Sequence, residues 1–99
     1  MPILLYGLNH ASAPIDLRER VAVPPEDLDG AVRRLLGIDG VEEGMILSTC
    51  NRTELLVNAR ARRAGEGLRG FLRSERRISD EEMERHCYLY AGPDAVRHV

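Results

Sequence analysis

The sequence predicts an α+β fold of the ferredoxin-like type, a split βαβ sandwich in the order βαββαβ with a four-stranded antiparallel sheet and extra short helices. Three observations lead there. Short apolar runs of strand length alternate with helical patterns along the chain. The two middle runs, 44–50 and 53–59, are joined too closely for a crossover and must form an antiparallel hairpin. Each half of the chain then supplies an amphipathic helix to cover one sheet face.

The first strand is Ile3 to Leu8, apolar on both alternating faces, as suits a strand at the sheet centre. Asn9 to Pro14 is polar, ends in proline and reads as a loop. Asp16 and Glu19 have the spacing of a capping box for a short helix carrying Leu17 and Val21. PPEDLDGAVRRLLG follows as the clearest helix: proline and acids open it, Leu28, Ala31, Val32, Leu35 and Leu36 recur at helical spacing, arginines fill its last turns and Gly37 ends it. After the hairpin, Ala64, Leu68, Phe71 and Leu72 share one face of a helix from about 64 to 77, with Gly65, Gly67 and Gly70 weakening its early turns. Ser79 and Glu82 form a second capping box for a short helix to about Arg85, and 87–91 is the last strand. Pro93 and Asp94 open one more helix, with Val96 and Val99 on one side and no stop signal. The sequence is therefore read as a segment of a longer protein, with 1–92 as the domain and 93–99 as the start of a following helix.

The composition is that of a small soluble domain. Of 99 residues, 43% are hydrophobic and 30% charged, and the net charge of -2 provides no overall field for nucleic acid. Such a chain buries about 60 to 65% of its unfolded surface without metal or disulfide staples. No apolar run approaches a membrane span, and MPILLYGLNH lacks the basic start and cleavage site of a signal peptide, which places the chain in the cytosol. Cys50 and Cys87 are then two thiols rather than a disulfide framework.

Cys50 raises the sharpest question, because LSTCNRTE puts it at the hairpin tip, between an apolar strand and a polar pair. A nearby cation, Arg52, and backbone N–H groups of Asn51 and Arg52 left free by the bend would favour a thiolate and hold an oxyanion. The alternative is a half-buried structural cysteine. Arg52 has a planar fork suited to a carboxylate, or pairs at the surface with Glu54. Thr49 and Ser48 either bind a substrate or satisfy the hairpin. His98 lies one turn from Asp94, which would orient its ring for proton transfer, unless it simply faces solvent. His10 follows the first strand and approaches Cys50 if that strand neighbours the hairpin. His86 and Cys87 read as ordinary packing.

No CxxC or HxxxH spacing supports a metal site, and there is no GxGxxG fingerprint or P-loop for a dinucleotide. Arginines at 60, 62, 63, 69, 73, 76 and 77 form a basic stretch, read as a solvated helix face or as a patch for phosphates of an RNA-borne substrate.

Three blocks, GLNHASAPIDLRER at 7–20, LSTCNRTELLV at 47–57 and DAVRHV at 94–99, together resemble the catalytic domain that opens glutamyl-tRNA reductase. The resemblance covers essentially the whole chain. It implies that Cys50 attacks the carbonyl of glutamate esterified to tRNA, giving a thioester that NADPH reduces to glutamate-1-semialdehyde for tetrapyrrole (porphyrin, haem) synthesis. Thr49, Cys50, Asn51 and Arg52 correspond to the substrate-binding run, Arg52 gripping a carboxylate, and His98 to a histidine important for activity; His10 and Ser48 are supporting candidates. It further implies that NADPH binding and dimerisation belong to other domains, that the full-length partner is a second copy, and that the product passes to the next pathway enzyme. The competing class is a non-catalytic ferredoxin-like module that binds RNA or protein.

Overall fold

In the computed structural model, which describes residues 3–61 and 63–98, nine elements follow in order. They are β1 (Ile3–Asn9), α1 (Ile15–Val21), α2 (Pro25–Leu36), β2 (Val41–Ser48), β3 (Arg52–Ala59), α3 (Ala64–Arg76), α4 (Asp80–His86), β4 (Tyr88–Ala91) and α5 (Pro93–His98). Arg62 of the basic stretch and Val99 of the last helix lie outside the described residues. The four strands form one sheet in the order β2-β3-β1-β4, antiparallel throughout. That is the expected split βαβ arrangement.

β1 is central because it is apolar in both directions. Leu4, Tyr6 and Leu8 point to one face, where they join Leu55 and Val57 of β3 in the main core. Leu35, Leu68, Leu72 and Met83 close that core from the helices and are almost wholly buried. Each such leucine stabilises the fold by about 1.5–3 kcal/mol relative to an exposed one. Leu5 and Gly7 point to the second face.

That second face is not bare. The sequence places the helices on one side of the sheet, but α5 crosses to the other: Gly92 turns the chain with φ +60, and His98 then bonds to Glu54 on the second face. Ala95 of α5 is fully buried there, outside the main core.

Helix ends differ in how they are capped. At α4 both capping-box bonds form, Glu82 N–H to Ser79 Oγ at 3.1 Å and Ser79 N–H to Glu82 Oε1 at 3.0 Å. The Arg20 guanidinium and the Ser79 N–H hold the Glu82 carboxyl down to about 2. At α1 the expected box is missing, because the helix starts at Ile15 with Pro14 as its N-cap, which puts Asp16 inside the first turn. There Asp16 complements the helix dipole instead. Replacing Ser79 by alanine is expected to cost about 1 kcal/mol in urea unfolding, whereas Asp16→Ala should cost only a few tenths.

β2 begins at Val41, earlier than the sequence suggests, with a register irregularity between Val41 and Glu43. Gly44, where the sequence starts this strand, lies inside it, and a Cβ there would sit 3.1 Å from Leu35 Cδ2 and 3.2 Å from Val57 Cγ1, so its lack of a side chain lets α2 pack close.

Candidate functional site

The β2–β3 turn consists of Thr49, Cys50 and Asn51. Thr49 N–H donates to the Arg52 carbonyl at 2.8 Å, and Thr49 Oγ1 accepts from the N–H groups of Asn51 at 3.1 Å and Arg52 at 3.3 Å. The two backbone donors expected to be free for an oxyanion are thus engaged by the threonine hydroxyl. That hydroxyl keeps its own hydrogen to donate. Cys50 is exposed at the apex, and Arg18 of α1 braces it by donating from Nη1 to its carbonyl at 3.2 Å. Ser48 lies beneath the tip, accepting from Val23 N–H at 2.9 Å and sharing a 3.0 Å bond with Thr53 Oγ1, so its hydroxyl satisfies the hairpin.

β1 pairs with β3 so that Asn9 lies opposite Arg52, which brings His10 to the Cys50 end of the sheet. His10 is exposed there. The loop after β1 is set by Asn9, whose Oδ1 accepts from Ala11 N–H at 2.9 Å and Ser12 N–H at 3.1 Å.

Arg52 and Glu54 alternate onto the second face, two and four residues from the cysteine. The sequence suggests a surface pair. The structure makes Glu54 a buried carboxylate, 1% exposed. Its Oε2 accepts from the Tyr88 hydroxyl at 2.5 Å and lies 2.6 Å from His98 Nε2. Its Oε1 is 3.2 Å from Arg52 Nη1, close enough for charge attraction but without a well-directed hydrogen bond. Burial and the neighbouring carboxylate push the Tyr88 hydroxyl far up, so it stays a donor.

His98 is therefore oriented by Glu54. Asp94, the partner expected from helical spacing, pairs with Arg97. The imidazole also packs on Tyr88 and Tyr90, with ring centroids 4.9 and 4.7 Å apart. Glu54 was the functional-site residue hardest to find from sequence, though one signal existed: alternation puts it on the same face as Arg52 and opposite Gly7. A hollow lined by Leu5, Met45, Leu47, Leu56 and Glu54 encloses only about 40 Å³, room for little more than a water molecule. A substrate reaching Cys50 would lie on the open tip.

His86 and Cys87 behave as packing residues. The His86 ring is 2.9 Å from the Ser12 carbonyl, and Cys87 packs against the core. Burial pushes the Cys87 thiol up to about 11. At pH 8 less than about 1% of such a thiol is thiolate. Iodoacetamide at that pH should modify Cys50 and leave Cys87 intact, as read by peptide mass mapping; equal labelling would contradict the burial of Cys87.

Part of the basic stretch is held by neighbouring groups. Arg63 pairs with Asp39 at 2.6 Å, Arg73 with Asp80 at 2.6 Å, and Arg76 donates to the Ala22 carbonyl at 3.0 Å. The two exposed pairs add little stability and offset the charge at Arg63 and Arg73 alone, while the Arg76 bond to a carbonyl leaves its charge in place. Among the described residues no group of three or more His, Cys, Asp or Glu side chains is placed to hold a metal, and no helix is long and apolar enough to cross a membrane.

Comparison with known proteins points in one direction. The family model "Glutamyl-tRNAGlu reductase, N-terminal domain" matches residues 6–99. A glutamyl-tRNA reductase of Rubrobacter xylanophilus is 43% identical over 99 residues, all of this chain and 23% of that protein. Glutamyl-tRNA reductase 2 of Koribacter versatilis is 40% identical over 99 residues, all of this chain and 22% of its own length. The solved glutamyl-tRNA reductase of Methanopyrus kandleri superimposes with a TM-score of 0.70 at 25% identity, covering 97% of this chain and 20% of that one. The chain thus spans less than a quarter of the length of the relatives it matches. With the family model matching nearly its whole length and curated relatives aligned across all of it, this chain belongs to the glutamyl-tRNA reductase N-terminal domain family.

Proposed function

We propose that this domain receives the glutamyl group from glutamyl-tRNA as a thioester on Cys50. The observation that carries the reading is a thiol exposed at the apex of a braced turn, two residues from an arginine that a buried carboxylate holds in place. The Cys50 sulfur adds to the ester carbonyl, an S–C bond forms, and the C–O bond to the terminal ribose breaks. The proton lost by the thiol ends on the departing ribose oxygen. Arg52 approaches Glu54 through Nη1, and its guanidinium has five N–H donors in a planar fork with which to grip a carboxylate of the glutamyl group as well. Thr49 and Asn51, the neighbours of Cys50 in the turn, offer further polar groups to the substrate. Such a polar site selects its amino acid because its groups go unpaired with the wrong one. Thioester chemistry suits the sequel, since sulfur donates electron density poorly and keeps the carbonyl open to hydride.

In the longer enzyme the hydride comes from NADPH and the product is glutamate-1-semialdehyde, the entry to tetrapyrrole synthesis. The residues of this chain do not fit that donor. The sheet is antiparallel throughout, without the parallel switch point of dinucleotide folds, and the N–H groups after β1 are taken by the Asn9 side chain. No hydride step is assigned to them. Dimerisation and transfer of the product likewise belong to the longer protein.

The test is release of tRNA. Incubated with glutamyl-tRNA, the wild-type chain is expected to deacylate it faster than buffer alone, and Cys50→Ser is expected to fall to the buffer rate. Equal rates for wild type and Cys50→Ser would favour the competing binding module.

A further inference from the structure

We infer that Glu54 is the positioning residue of this site, fixing the Arg52 fork and holding His98 in one tautomer so that Nδ1 is the ring nitrogen left to exchange a proton with the reacting groups. The inference rests on the reading of Cys50 as the glutamyl acceptor. It goes beyond that reading by assigning a task to a residue that does not itself reach the substrate.

Three features carry it. An ionised carboxylate only accepts hydrogen bonds, so the 2.6 Å contact requires the hydrogen to sit on His98 Nε2, and a neutral ring then bears its lone pair on Nδ1. The same carboxylate joins residues far apart in sequence: Arg52 on β3, Tyr88 on β4 and His98 on α5. Glu54 is also built in, not incidental. It is 1% exposed, and Gly7 on the neighbouring strand makes room for it, since a Cβ at Gly7 would lie 2.8 Å from Glu54 Cα and 3.1 Å from its Cγ. The groups facing His98 are Glu54 from β3 and the Tyr88 and Tyr90 rings from β4; Asp94 and Arg97 of its own helix pair with each other.

The test uses Glu54→Gln, which keeps the volume and can still accept from Tyr88 but removes the charge. Wild type and variant are compared by ¹⁵N NMR of the His98 ring and by transfer of the glutamyl group from glutamyl-tRNA to Cys50. With the ring in its neutral form, wild type is expected to show a single Nε2–H tautomer, and in Glu54→Gln both tautomers should appear. Transfer should fall at least about tenfold, because an error of about 1 Å in placement costs about a hundredfold. Iodoacetamide should still label Cys50 in the variant, separating lost positioning from lost thiol. Wild-type transfer by Glu54→Gln with an unchanged His98 spectrum would overturn the inference. So would a wild-type ring with its hydrogen on Nδ1, which needs no variant and holds even if Glu54→Gln fails to fold. If wild type accepts no glutamyl group, the acceptor reading fails, and the tautomer spectra alone decide whether Glu54 holds His98.

Discussion

Gly7→Ala is expected to destabilise the domain by about 3 kcal/mol or more, at the upper end of what overpacking costs. A Cβ at this position would lie 2.2 Å from the Thr53 carbonyl oxygen and 2.8 Å from Glu54 Cα. Both are backbone atoms of the adjacent strand, so no side-chain rotation relieves the clash. β1 and β3 would have to separate where Gly7 lies opposite Glu54, between the two central strands of the sheet. With small domains stable by only about 5–15 kcal/mol in all, much of the chain's margin would go. Urea unfolding read by circular dichroism checks the size of the loss. A midpoint unchanged from wild type would show that the close β1–β3 approach at Gly7 is not a constraint of the fold.

Arg52→Leu has the second large expected effect, on stability and on function together. Removing one partner of a buried ion pair costs about 3–5 kcal/mol, because the other charge is left uncompensated. Arg52 is 34% exposed, so solvent already screens its side of the pair, and about 2 kcal/mol is the expected loss. Adding Glu54→Gln to the same chain should recover most of it, since the charge left stranded is then gone. That recovery, measured as a double-mutant cycle, separates a charge effect from lost packing; additive losses would mean that the two side chains do not interact. If Arg52 grips the glutamyl carboxylate as proposed, neither chain should regain capture of the glutamyl group.

The sheet was legible in the sequence for a simple reason. The two residues between the runs at 44–50 and 53–59 leave no route but a hairpin, and β1, apolar in both directions, belongs at the centre. The exposed position of Cys50 follows from the same arithmetic. What stayed hidden depends on tertiary placement. A glutamate within an alternating strand reads as solvent-facing, and Glu54 is buried only because α5 swings across the second face after the positive φ of Gly92. That turn also takes His98 away from Asp94 and delivers it to a residue 44 positions earlier. The capture of the Asn51 and Arg52 N–H groups by Thr49 is a matter of one rotamer, which no spacing encodes. The failed cap at Asp16 has a local cause, since Pro14 already occupies the N-cap and the helix starts two residues early.

The most direct measurement is the intact mass of the chain after brief incubation with glutamyl-tRNA and acid quenching, followed by peptide mapping. Wild type should gain the mass of one glutamyl residue on the peptide containing Cys50, the adduct should be released by hydroxylamine, and Cys50→Ser should gain nothing. A wild-type mass that does not change, or an adduct that maps to Cys87 or to any other residue, would contradict the account.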